Sequence, residues 1–180
     1  LGALLVTWAG ALGMIYGLGQ CLQQLNVAPV TGLLLQEGGL LIATWAVNRF
    51  WLRVPFQWWS SVPLGQQIRV NVGPIGYLAL LVLALSMTPQ ADLDRLGLAI
   101  LLAALVGIFE ESLFRGILLG GLIQCWRWRG HRSVVGPVIL SSGLFAAAHG
   151  INLFHQSLSV TGVQILGTFA LGLFLGTVYL

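Results

Sequence analysis

The chain has 180 residues, of which 57% are apolar and only 7% charged, against about a quarter charged in an ordinary soluble domain. So few charges cannot coat a water-exposed surface, which excludes a soluble globular class. The net charge of +3 comes from eight arginines and no lysine; they form no basic face outside two short loops, which argues against nucleic-acid binding.

A helix that crosses the bilayer needs about 20 apolar residues, and six stretches meet that need. They run near Leu1–Leu22, Pro29–Val47, Val72–Thr88, Leu96–Trp126, Val134–His149 and Leu158–Leu180. The predicted fold is therefore all-α, a multi-pass transmembrane bundle. The first stretch lacks the basic start of a signal peptide and reads as a helix. The fourth is longer than a bilayer requires, so it tilts or protrudes. The chain starts at Leu1 rather than Met and stops inside an apolar run, giving the expectation that both ends are cut from a longer protein and that at least one more span follows.

Between the second and third spans, 48–71 mixes Trp51, Trp58 and Trp59 with Arg49, Arg53 and Arg69. Aromatic rings and snorkelling arginines suit the headgroup region, so this segment reads as an interfacial linker. These arginines and the loop group Arg127, Arg129 and Arg132 fall on one side of a six-span bundle. The opposite loops carry only Arg95, offset by Asp92 and Asp94. Positive residues stay cytoplasmic, so both termini are expected there; the compactness of the chain alone suggests a bacterial plasma membrane. Gly13/Gly17, Gly116/Gly120 and Gly172/Gly176 are four apart, the spacing that lets helices approach closely in lipid. Cys21 and Cys125 lie in apolar surroundings and read as small core residues.

The main anomaly is in the fourth span: Phe109-Glu110-Glu111-Ser112-Leu113-Phe114-Arg115-Gly116. Ionisable groups at membrane depth cost about 2.5–3.5 kcal/mol each on insertion scales and need partners or a wet cavity. Glu111 and Arg115 are four apart on one helix face and can pair. Glu110 points about 100° from Glu111 and about 140° from Arg115, which leaves it free to hold a water as a general base. A buried ion-pair lock between helices is the alternative on residue types alone. The fifth span ends in Phe145-Ala-Ala-Ala-His149-Gly150, with Phe145 and His149 on one face. A histidine at a helix end is more often a cap or an interfacial group than a ligand; a neighbouring glutamate helix shifts that balance. His155 reads as loop surface. Glu37, in the second span, lines a cavity or pairs with an arginine, and the sequence does not choose between these.

The pattern Glu110-Glu111-x-x-x-Arg115-Gly116 followed by Phe145-x-x-x-His149 resembles the CAAX protease and bacteriocin-processing family of membrane proteins, which includes the type II CAAX prenyl endopeptidase. The resemblance covers about Leu96–Leu180, so the chain divides into N-terminal helices over 1–95 and a family-like catalytic segment over 96–180. It implies an intramembrane endopeptidase acting on a peptide or protein with a membrane-associated end. Glu110 would activate water, His149, Glu111 and Arg115 would support it, and Phe114 and Phe145 would line the substrate pocket. The family's third motif, a histidine with asparagine four residues on, would lie beyond Leu180. Two histidines and a carboxylate would suit zinc, with Glu110 and His149 as the ligands within this chain; the choice between glutamate-type and metal-dependent chemistry stays open. Two other readings remain: a non-catalytic membrane partner on the same fold, such as an immunity or scaffold protein, and an ion-coupled transporter with Glu110, Glu111 and Arg115 as its relay. No His-Glu-x-x-His or Gly-x-Ser-Gly pattern is present, and Asp92 and Asp94 are ill-placed for an aspartyl dyad.

Overall fold

A computed structural model describes residues 1–55, 62–70, 72, 76, 79–80, 82–83, 86–87, 93–126 and 134–179. Among the described residues the fold is helical throughout: α1 (Gly2–Gln24), α2 (Pro29–Val47), α3 (Leu64–Val70), α4 (Leu93–Glu111), α5 (Gly120–Trp126), α6 (Val135–Ala148) and α7 (Leu158–Tyr179). Five described stretches are long and apolar enough to cross a bilayer: Gly2–Gln24, Pro29–Leu52, Leu96–Trp126, Val135–Phe154 and Leu158–Tyr179. The expected all-α membrane bundle is the observed architecture, and the protein is integral to a membrane. The predicted span over 72–88, together with Trp58, Trp59, Asp92 and the loop arginines 127, 129 and 132, lies wholly or largely outside the described residues.

The chain forms two compact units, Leu1–Phe56 with Leu105–Leu180, and Gln57–Ala104. The second unit contains α3, which begins after Pro63; the Pro63 carbonyl accepts from the backbone N–H groups of Gln66 and Gln67 at 2.9 and 3.2 Å. The first unit is built around Leu4, Ala11, Leu40, Phe109, Leu113, Phe114, Ile117, Leu118, Leu122 and Phe145, all buried. Its outer helix faces are apolar and open, with Ile42, Val163 and Leu166 each more than 70% exposed. Such ridges are liabilities in water and the normal contact surface in hydrocarbon.

Local chemistry sets the turns of this unit. After α1, Asn26 takes a left-handed conformation at φ 51°. The N–H of Asn26 then reaches the Gln23 carbonyl at 3.0 Å, and that of Val27 reaches Leu22 at 3.2 Å. This is the Schellman arrangement, and asparagine is the usual substitute for glycine in it. Pro29 then opens α2 at a position where no N–H is needed. Beyond α2 the helix widens into a π turn, Asn48–Leu52. The Asn48 side-chain amide closes it by exchanging two 3.0 Å hydrogen bonds with the Val54 backbone.

A second π segment, Ser112–Leu119, joins α4 to α5, and all eight of its residues are buried. Its wider winding is completed when the Gly120 N–H bonds to the Arg115 carbonyl. The sequence reads as plain α-helix there, with no proline to announce the change. After α6 the chain tightens into a 3-10 turn, His149–Phe154, instead of stopping at His149 as predicted. His155 then sits in an exposed turn.

Two expectations need correction. Cys21 and Cys125 are free and exposed, not buried in the protein core. Apolar neighbours in the sequence do not imply a protein interior where lipid is the solvent. The glycine pairs also differ among themselves. A Cβ at Gly172 would lie 3.0 Å from Ser142 Cβ and 3.1 Å from its Cα, and one at Gly176 would lie 3.1 Å from Val138 Cγ1. The α6–α7 seam is therefore a true close approach. At Gly13 and Gly17 an added Cβ would meet nothing within 4 Å. Gly172→Ala is expected to destabilise the bundle by about 1–3 kcal/mol through overpacking. Gly13→Ala should be neutral or slightly stabilising, because alanine is the better helix former. Thermal unfolding of both variants in detergent micelles checks this; equal midpoints would contradict it.

Candidate active site

The residues singled out in α4 and α6 meet at one place in the first unit. Glu110 lies on the last turn of α4, and His149 follows the end of α6. Glu110 Oε1 and His149 Nε2 are 4.0 Å apart, with side-chain exposures of 29% and 17%. This is too long for a direct hydrogen bond and short enough for one water to touch both. The two side chains line a cavity of about 240 Å³ together with Trp8, Glu37, Phe109 and Asn152, among others. That volume is just under the range of about 300–1,000 Å³ typical of small-molecule sites. It holds water and one side chain more readily than a bulky ligand.

The imidazole is held from behind. His149 Nδ1 lies 3.0 Å from the Phe145 carbonyl. A carbonyl only accepts, so Nδ1 carries the proton and Nε2 is the nitrogen left facing Glu110. The Phe145 ring meets the imidazole edge-on, with centroids 5.1 Å apart. Phe145 packs in turn against Phe114 at 4.9 Å, and the Arg115 guanidinium covers its face at 4.5 Å. This cation–π stack explains how a guanidinium only 2% exposed is accommodated in the bundle.

Helical spacing separates the two glutamates as expected. Glu111 Oε1 approaches Arg115 Nη1 at 3.4 Å and is 48% exposed on the outer side. Glu110 takes the cavity side. The pair with Glu111 is an ion pair without hydrogen-bond alignment, and both Arg115 Nη atoms lack hydrogen-bond partners among the described residues. Phe114 lines the cavity as well as packing against Phe145. Phe145, expected at a substrate pocket, is buried behind His149 and is absent from the cavity wall, because its ring is sandwiched by Arg115, Phe114 and the imidazole.

Several wall residues carried no functional role in the sequence. Asn152 reaches the cavity because the 3-10 turn extends α6, and its Nδ2 donates to Gln164 Oε1 of α7 at 2.8 Å. Trp8 of α1 lines the cavity and donates its indole N–H to the Leu144 carbonyl at 3.1 Å, tying α1 to α6. Glu37 of α2 is 9% exposed, and its Oε2 has no hydrogen-bond partner among the described residues. An ionisable residue within a span is by itself a functional signal, and it was the one clue available for Glu37.

Residues 92–180 match the family model described as Type II CAAX prenyl endopeptidase Rce1-like. This segment belongs to that family. It contains both halves of the Glu110–His149 pair, so the expected family resemblance and the observed meeting of the two motifs coincide. No curated protein and no solved structure matches the chain. The family is a protease family and its match lies on membrane-spanning helices, which supports a membrane-embedded protease in general.

A catalytic zinc site uses three protein ligands. Glu110 and His149 would supply two, and among the described residues no group of three His, Cys, Asp or Glu side chains converges to hold a metal. The described residues therefore do not make a complete metal-ligand set.

Proposed function

We propose that this protein is an intramembrane endopeptidase that hydrolyses a peptide bond near the membrane-associated end of its substrate, with Glu110 activating the water. The observation that carries this reading is the approach of Glu110 and His149 at a cavity within the Rce1-like segment. A base and an imidazole around one hydrated space are the elements general acid–base hydrolysis needs.

A water within about 2.8 Å of both Glu110 Oε1 and His149 Nε2 would sit to one side of the line joining them. Glu110 takes a proton from it while its oxygen attacks the scissile carbonyl carbon. The tetrahedral intermediate collapses as Glu110 returns that proton to the leaving nitrogen, giving a carboxylic acid and an amine. With Nδ1 committed to the Phe145 carbonyl, Nε2 is the atom available to orient the water or, when protonated, to donate to the oxyanion. Glu111 and Arg115 hold the Phe145–His149 stack in place and are positioning residues.

We infer from the loop arginines in the sequence that both ends of this stretch are cytoplasmic, and take a bacterial plasma membrane as the setting. A lipid-anchored peptide of CAAX type is the first substrate to test, because the family's name specifies that class. Purified protein in lipid should cleave it, and in H₂¹⁸O the new carboxylate should gain one heavy oxygen by mass spectrometry. His149→Ala is expected to slow the reaction about 100-fold. Cleavage by His149→Ala at the parental rate would remove the imidazole from the mechanism.

A further inference from the structure

The mechanism leaves one buried acid unused. Glu37 sits in the middle of α2, 91% buried by its 9% exposure, and lines the same cavity as Glu110 and His149. Gln36 hydrogen-bonds to this carboxyl group, but the Glu37 Oε2 is enclosed and accepts no hydrogen bond among the described residues. An enclosed carboxylate oxygen without a donor is costly even before its charge is counted, so the position calls for a partner. Arg115, the nearest motif cation in sequence terms, is engaged by Glu111 and the Phe145 ring and is not in the cavity wall. Among the described lining residues there is no arginine or lysine, and His149 is the single group that can become cationic.

The rest of the wall has the same bias. Asn152 Nδ2 gives one of its two hydrogens to Gln164 Oε1, so the wall keeps some amide N–H donors from Asn152 and Gln164, while no donor among the described residues takes the Asn152 Oδ1 acceptor. The cavity thus offers two carboxylates and a spare amide oxygen. Such a wall favours a ligand group rich in N–H donors and positively charged, and it disfavours an anionic one. The other walls, Leu12, Ile15, Val106 and Leu113, suit the methylene stem of a long basic side chain.

The geometry points to Glu37 as the recognition carboxylate for a basic side chain of the substrate, seated beside the Glu110–His149 pair. This specificity role rests on the hydrolytic reading of that pair. It assigns α2, which lies outside the Rce1-like segment, a direct part in choosing the peptide.

The test uses the full chain in lipid nanodiscs and membrane-anchored peptides bearing lysine, norleucine or glutamate at positions flanking the cleaved bond. For the parent, kcat/KM is expected to favour lysine over norleucine by about tenfold or more at one position. Glu37→Gln should collapse that ratio towards one, Glu37→Asp should retain part of it, and Glu37→Lys should favour the glutamate peptide. A ratio unchanged in Glu37→Gln, or an equal loss on every peptide, overturns the assignment. A second arm does not need turnover: calorimetric binding of a lysine peptide whose scissile amide is replaced by a reduced, non-hydrolysable bond. Binding about tenfold weaker to Glu37→Gln than to the parent supports the subsite, and equal binding overturns it. If the parent cleaves no peptide yet binds the lysine peptide through Glu37, the hydrolytic reading fails and the subsite stands.

Discussion

Replacing Glu110 by glutamine is expected to lower peptide hydrolysis by about 10²–10⁴-fold, the usual contribution of a positioned general base. Glutamine keeps the shape and a hydrogen-bonding end, so the cavity should persist. What disappears is the capacity to take a proton from water. Glu110 is 29% exposed and, among the described residues, makes no hydrogen bond that holds the bundle, so helical content by circular dichroism and the unfolding midpoint should stay near those of the parent. The contrast between lost turnover and a preserved fold is the informative result. A non-catalytic partner on this fold predicts the reverse: Glu110→Gln keeps its biological effect, whereas a packing change such as Gly116→Leu loses it. Cleavage by Glu110→Gln at the parental rate would end the mechanism.

The second large effect concerns stability. Arg115 is 2% exposed, and its only charge partner among the described residues within 4 Å is Glu111. Glu111→Gln leaves the buried guanidinium with only the Phe145 ring and the more distant Glu110 carboxylate to offset it. Removing one member of a buried pair typically costs about 3–5 kcal/mol; because Glu111 is 48% exposed and partly screened, about 2–3 kcal/mol is the expected loss. Arg115→Met removes the charge together with its need for a partner, at the expense of the stack on Phe145. The double variant Glu111→Gln/Arg115→Met should therefore be less damaged than the sum of the singles, by about 1 kcal/mol or more. Unfolding midpoints of the four proteins in one detergent check this. Additive losses would mean that the pair is not coupled, and that Arg115 is kept by its ring contact alone.

Much of this arrangement was legible in the sequence, because membranes make the code simple. Hydrocarbon admits backbone only in fully bonded form, so Leu96–Trp126 or Leu158–Tyr179 could hardly be anything but helices. Three ionisable groups in one span marked the site, and the 100° step per residue sorted Glu110 from Glu111 correctly. What stayed hidden depended on long-range packing. Glu37 lies 73 residues before Glu110 in sequence, and no local pattern says that α2 brings it to the same cavity. Asn152 looked like loop, because the 3-10 continuation past His149 is a tertiary choice. Phe145 shares a helix face with His149, as its spacing says, but a shared face does not tell which of two rings meets the cavity and which is covered by a guanidinium from another helix. The cysteines were misread for the opposite reason: their apolar context was correctly seen and assigned to the wrong solvent.

The wide-wound stretch Ser112–Leu119 has a consequence for how this helix tolerates change. A π segment accommodates surplus residues relative to ordinary winding, so the faces before and after it are out of step. Upstream, Glu110 addresses the cavity; downstream, Gly120 and Gly121 accept Val54 and Leu4 at close range. Losing the surplus residue would let the rod relax to uniform pitch with both faces still meeting their counterparts, whereas a residue lost from the regular winding on either side would rotate one face by about 100°. A one-codon deletion is thus expected to be borne better within this stretch than in the regular turns of α4 or α5.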